Sequence, residues 1–529
     1  MPYAALAALG CADENIDRRA QADAEPMIAD PCEGLTVRPF DAAADGDDFD
    51  EKAPNFTAPI ASGSFSLSER WTGCDSILFL AYSPDDPYAA TLWQSSLSDL
   101  LLRSPPNLVY LLFSARSGAD VGADTAFLHE RLSQALGELP DADLRHWEGR
   151  VHVLLDGEPD LGWPAALRAR YGVFSFAIDR RQVLRETGAF ADPTADDAPA
   201  LAFAAHQAQR FNFESDLLDR LAEDDATVLS VLTDEPASDA GATGQGAEAD
   251  VVFPDAVGMT AFDTLEVDLA LACGGHPERD HCPASDEVVY LYLCDTAAPD
   301  VCSVAIGLWV TPMGRPGRWV HDITPFLAQL VDGGTRRLRF YTEQPYRVTL
   351  SLRLRNQDRG RRPVAMEYLW SGGPFDENYN ALHPPVAFTP PLDAAAVEIA
   401  AVITGHGWGL DQADCAEFCN HQHEFTLNGA TRYMKEHDAA AAPRGCADAV
   451  AGGVVPNQHG DWVFGRGGWC PGQHVTPWVQ VLTDYLVAGT NGLSYRGLYQ
   501  GADYVPVPSG SIEGEPAAIG MTSYVVYSR

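Results

Sequence analysis

The sequence predicts a multidomain protein in which an N-terminal α/β unit is followed by two all-β sandwiches packed side by side. Three observations predict it. Strands alternate with helices up to about residue 190, short strands dominate from Val251 onwards, and a Pro-rich stretch at residues 384–391 divides the strand-rich half in two. With 529 residues, 46% of them hydrophobic, the chain can bury several cores.

Residues 1–60 open with a short apolar run closing on Leu9-Gly10-Cys11, which resembles a bacterial lipoprotein processing site. Cys11 is the expected lipidation site, and residues 12–60, acidic, Ala-rich and unpatterned, are the expected tether. Residues 61–190 read as a strand at 76–82, a helix at 89–102 and a strand at 107–114. An amphipathic helix at 125–136, a strand at 151–155, a helix at 164–171 and a strand pair at 173–178 and 182–186 follow. This order is similar to a thioredoxin-like domain. Redox members carry Cys-x-x-Cys after the first strand, whereas this chain reads Ser83-Pro84-Asp85-Asp86-Pro87. Without a thiolate there is no thiol exchange, and a scaffold or partner-binding role is expected.

Residues 191–224, punctuated by Pro, Asp, Ala and Gly, read as a connector with one helix around 213–221. Residues 225–360 form the expected first sandwich, with strands at 264–272, 287–293, 303–310, 337–341 and 347–354 rich in β-branched and aromatic residues. Residues 361–395 are the expected linker and 396–529 the second sandwich.

The 75 acidic against 35 basic residues give a formal charge of −40, which repels nucleic acid and anionic lipid headgroups. No uncharged apolar run is long enough to span a bilayer as a helix, so membrane contact is expected only through a lipid on Cys11. Eleven cysteines, mostly at short range, point to an oxidising, extracytoplasmic compartment. Sequence does not fix their pairing. Neighbour spacing favours Cys32 with Cys74, Cys273 with Cys282, Cys294 with Cys302, Cys415 with Cys419, and Cys446 with Cys470. A zinc site built from Cys415, Cys419, His421 and His423 is the rival for one pair. His421-Gln422-His423 also places two imidazoles on one strand face, as a copper monooxygenase relative would, but the first sandwich has no matching His cluster. No metal or cofactor is expected.

Four strings carry chemistry: Asp286, four residues after Cys282; Tyr341-Thr342-Glu343; Cys415-Ala416-Glu417-Phe418-Cys419; and Arg466-Gly467-Gly468-Trp469-Cys470-Pro471-Gly472. Alone, Asp286 reads as a turn residue, Glu343 as a solvated charge and Trp469 as core beside a cysteine, with Trp462 and Trp478 also core. Together and in this order, over roughly residues 225–529, they resemble the peptide:N-glycosidase F enzymes.

That resemblance implies two jelly-roll domains and an amide hydrolase releasing N-linked glycans from asparagine of glycoproteins or glycopeptides, giving aspartate and a glycosylamine. It assigns Asp286, Glu417 and Glu343 as catalytic carboxylates, and Arg466, Trp469, His406 and Trp408 as substrate contacts, in a monomer without cofactor. The chemistry fits the residue types, because attack of water on an amide needs a base, a stabiliser of developing charge and a sugar-shaped cleft. The chain also departs from the family. Ser285 and Glu287 stand where the family has Trp and Arg around its catalytic Asp, Pro345 replaces a cleft Trp, and Gly405-His406-Gly407-Trp408 inverts the family's Gly-Trp-Gly-His order. A glycan-binding protein without catalysis is the alternative these departures allow.

Overall fold

The structure, a computed structural model, describes residues 30–223, 225–237 and 246–529; Cys11 lies outside them. In the α/β body the strand Ser76–Tyr82 is one of the three central strands. It runs parallel to Leu108–Ser114, which runs parallel to Val151–Gly157, and antiparallel to Ser175–Ile178, itself in a hairpin with Leu184–Glu186. Thr57–Ile60 and Gly63–Ser66 complete a seven-stranded sheet on the other edge.

The strand Ser76–Tyr82 is apolar on both faces because both are covered. Leu78 and Leu80 face helices, whereas Ile77, Phe79 and Ala81 face Phe49, Phe56, Ile60 and Phe65. The expected tether is thereby corrected from residue 30 onwards, where the chain is part of this core. A few large apolar residues far apart in an acidic background show no periodicity, yet they are enough to cap one face of a sheet. The helix expected at 89–102 is two helices, Pro87–Leu92 and Leu97–Arg103, the second restarted by Ser96 Oγ accepting the Asp99 N–H at 2.9 Å.

The expected connector holds a 21-residue helix, Phe203–Glu223. Its Phe203, Ala204, Ala208 and Phe211 join one core with Leu78 of the sheet and Val450, Trp462 and Val463 of the C-terminal half. Small residues on one helix face let three layers meet, a pattern that reads as low-complexity linker in one dimension.

The first sandwich packs the sheet of Thr227–Pro236, Arg347–Arg355, Thr264–Ala272 and Gly317–Asp322 against that of Ala247–Asp255, Gly333–Tyr341, Val288–Cys294 and Cys302–Val310. The second packs Pro363–Pro374, Ala518–Ser528, Ala396–His406 and Trp478–Val481 against Val386–Phe388, Asn491–Tyr499, His421–Leu427 and Thr431–Lys435. The expected linker thus contributes the strand Pro363–Pro374, whose register shifts after Tyr368 and Ser371 mask its alternation.

The sandwiches share a sheet edge. Gln473–His474, from the second, adds to Cys302–Val310 of the first through the pairs Trp309 with His474 and Val310 with Gln473. Five disulfides join the pairs that neighbour spacing favours, so Cys415 and Cys419 are bonded to each other rather than to a metal. No helix among the described residues is long and apolar enough to cross a membrane.

Candidate active site

Glu417 lies inside the ring closed by Cys415 and Cys419. Its Oε2 accepts the Gly407 N–H at 3.1 Å and its Oε1 the Arg466 Nε–H at 3.1 Å, while its carbonyl accepts the Gly467 N–H at 2.7 Å. The loop can close this tightly because residues 405 and 467 are glycines. A Cβ on either would stand 2.4 Å from the Ala416 carbonyl oxygen.

Arg466 is 4% exposed, and its guanidinium is fully engaged by Glu417, by Asp461 Oδ1 at 2.8 Å and by the Phe464 carbonyl at 3.0 Å. It also lies over the rings of Phe418 and Trp469. In this structure the arginine holds the carboxylate of Glu417. The reason is burial: a guanidinium with so little water must spend its donors on protein acceptors.

Asp286 enters from the first sandwich, in the loop after Cys282 that leads into Val288–Cys294. Burial raises its pKa above the ordinary carboxylate value, Arg466 pulls it down, and Asp461 and Glu515 push it up again. Burial likewise raises Glu417, against Arg466 and the Gly407 N–H, and the charge of Asp286 adds to the rise. Two carboxyls from two sandwiches therefore sit in one field with one shared cation. That combination makes both carboxyls hold a proton more readily than an ordinary carboxylate.

The other expected residues divide. Trp469 is buried, donates from Nε1 to the Gly405 carbonyl at 2.7 Å and stacks on His406 at 5.1 Å, so it is wall rather than an open platform. His406 is half-buried and held down to about 4 by burial and by Arg466. Trp408 is 47% exposed, and its backbone exchanges two hydrogen bonds with Glu515, one of the acids acting on Asp286.

Glu343 lies beside Glu287, the chain neighbour of Asp286. It is exposed, its Oε1 accepts the Tyr341 hydroxyl at 2.6 Å, and its N–H donates to Glu287 Oε1 at 2.7 Å. Glu287, which occupies the position of a family arginine, is tied down by that bond and by the Thr342 hydroxyl at 3.1 Å. Burial raises its pKa. Asp461 and Glu515 escaped sequence reasoning because neither belongs to a motif; only the fold brings them to the cleft.

Beyond Asp286, Tyr290 and Tyr292 project from one face of their strand and stack at 5.4 Å. They line a cavity of about 430 Å³ between the sandwiches, with Val402, Val475 and Gly520 opposite.

A family model described as "Peptide-N-glycosidase F, C terminal" matches residues 376–526. A curated peptide-N(4)-(N-acetyl-β-D-glucosaminyl)asparagine amidase F from Elizabethkingia miricola is 30% identical over 96 residues, which is 17% of this chain; the chain spans a quarter of that relative's length. A solved peptide-N(4)-(N-acetyl-β-D-glucosaminyl) asparagine amidase is 19% identical with a TM-score of 0.47, over 57% of this chain and 96% of that one. The structure described as PNGase F, a glycosylasparaginase from Flavobacterium meningosepticum, is 18% identical with a TM-score of 0.45 over the same shares.

Proposed function

We propose that this chain, whose residues 376–526 match the C-terminal model of peptide-N-glycosidase F, hydrolyses the side-chain amide joining an N-linked glycan to asparagine. The observation that carries this reading is the pair Asp286 and Glu417, supplied by separate sandwiches and coupled through Arg466. Asp286 is the base. Burial raises its pKa, which makes it a stronger proton acceptor than an ordinary carboxylate. It takes a proton from water as the water oxygen attacks the amide carbonyl, and returns that proton to the glycan-bearing nitrogen as the C–N bond breaks, leaving aspartate and releasing the glycosylamine.

Glu417, clamped by Gly407 and Arg466, orients the substrate and the attacking water. The exposed Trp408 offers a face to the sugar nearest asparagine, and the cavity at Tyr290 and Tyr292 takes sugars farther out. Glu343 lines the rim, outside the reacting centre. The sandwiches are read as jelly rolls and the N-terminal body as a thioredoxin-like scaffold without redox function. That scaffold is fastened by Arg315, whose guanidinium bonds Gln207 at 2.7 Å, Glu278 at 2.7 Å and the Pro456 carbonyl at 2.9 Å. Five disulfides favour an extracytoplasmic location, with attachment to membrane only through Cys11, as a monomer acting on glycoproteins or glycopeptides.

Ser285 and the tethered Glu287 favour one second reading, a glycan-binding protein without turnover. A denatured high-mannose glycoprotein incubated with the purified chain separates the two. Free glycan with conversion of asparagine to aspartate is expected; glycan retained on the chain with asparagine intact would establish the binding protein instead.

A further inference from the structure

Three imidazoles converge directly behind the wall that carries Glu417. His421 and His423, two apart on the strand His421–Leu427, share one face. His437 follows the neighbouring strand Thr431–Lys435 and folds over them. One ring nitrogen from each lies within 4.8 Å of the others, and the ring centroids are 4.4–5.5 Å apart. His421 and His423 are fully buried and His437 is 6% exposed.

A buried polar atom without a partner needs a reason, and Nε2 of His437 has no hydrogen-bond partner. The inner side of the cluster is built as an outer coordination shell would be. His423 Nδ1 is 2.7 Å from the Tyr495 hydroxyl, which is 2.9 Å from the Tyr379 hydroxyl. With Nδ1–H donating to Tyr495, the lone pair of His423 Nε2 points at the other two rings.

We propose that His421, His423 and His437 form a structural site for one zinc ion, with a water in the fourth tetrahedral position. Three imidazoles suit zinc, and Cys415 and Cys419, the other soft donors close in sequence, are used up by their disulfide. His421 Nδ1 and His423 Nε2 are 2.7 Å apart, sharing a proton. Two nitrogens on one tetrahedral zinc stand roughly 3.4 Å apart, so loading replaces that hydrogen bond and moves the two nitrogens apart by about 0.7 Å. Lys435 is the nearby cation that opposes the ion, offset by Asp438 beside it.

The consequence lies in front of the site. A Cβ on Gly467 would stand 2.4 Å from His421 Nε2, and one on Gly468 2.7 Å from the His437 ring. The ion would therefore brace the loop that presents Arg466 and supports Glu417. The inference concerns a site the hydrolytic reading does not use, and its readout involves no glycan.

The test is calorimetric titration of chelator-stripped full-length protein with Zn²⁺, with Tm measured in parallel and Co²⁺ absorption reporting nitrogen coordination. Expected are one equivalent bound, a rise in Tm that grows with free zinc, and at least a tenfold loss of affinity in His437→Gln. That variant loses a buried ring packed on His421 and His423, so it should fold with a lower apo Tm than the wild type, and the readout is the loss of the zinc-dependent rise. No uptake by the wild type, or uptake unchanged in His437→Gln and in His423→Gln, overturns the proposal.

Discussion

Nε of Arg466 donates to Oε1 of Glu417 across 3.1 Å, and the same guanidinium is the main charge opposing the rise in pKa of Asp286 on the other sandwich. One buried cation thus sets the electrostatics of both carboxyls, and the first predictions concern this triangle.

Asp286→Asn should lower glycan release by roughly 10²–10⁴-fold, the usual contribution of a positioned general base. It should also stabilise the fold. The folded-state pKa of Asp286 is raised, so the folded protein favours the proton more than the unfolded chain does, and stability falls as pH rises from the ordinary carboxylate value through the folded one. The variant should show a higher Tm than wild type at pH 7, the gain vanishing below about pH 4. Thermal melts across that range check it; a variant that melts lower at pH 7 contradicts the burial argument.

Arg466→Ala should destabilise by about 3 kcal/mol or more, because it strands the buried Glu417 without its partner. Arg466→Lys keeps the charge but not the fork, and should fold while losing kcat with little change in KM. A rise in KM alone would return Arg466 to the substrate-contact role that sequence reasoning assigned to it.

The two tryptophans should behave oppositely. Trp408→Ala, at an exposed ring, should leave Tm unchanged and raise KM several-fold, equivalent to about 1 kcal/mol of ring contact. Trp469→Ala removes a buried ring stacked on His406 and should cost about 3–5 kcal/mol of stability. Denaturant titration and steady-state kinetics on both variants separate wall from platform.

His276 docks the first sandwich onto the α/β body, with Nδ1 2.6 Å from Glu186 and Nε2 3.5 Å from Asp50. Those carboxylates raise its pKa to about 10. The stabilisation is therefore complete below the unfolded value near 6.5 and is lost as pH climbs toward 10. His276→Gln should destabilise by about 2 kcal/mol at pH 6 and progressively less above pH 9. A penalty independent of pH would show that packing against Phe49, rather than charge, is what His276 supplies.

Five strands of the first sandwich were legible because β-branched and aromatic runs such as Thr264–Ala272 carry their pattern locally, whereas the second was legible only as a strand-rich block. Glu417 was legible because its flanking cysteines mark it. What stayed hidden depends on contacts distant in sequence. Phe49 and Phe56 become core only beneath Phe79, and Pro363–Pro374 becomes a strand only beside Ala518–Ser528. The Cys415-Glu417-Cys419 string was readable, as was an Arg466 fork able to hold a carboxylate, but which carboxylates it meets, Glu417 and Asp461, was not, because burial is a property of the fold. Glu343 reads alike in sequence whether it faces the cleft or, as here, the Tyr341 hydroxyl.

The central claim is attack of water at the asparagine side-chain carbonyl, and digestion of an N-glycopeptide in H₂¹⁸O tests it most directly. The account predicts a peptide carrying aspartate with one heavy oxygen per former site, formed by the wild type and not by Asp286→Asn. A peptide that keeps asparagine, bare or with a single sugar attached, would contradict it.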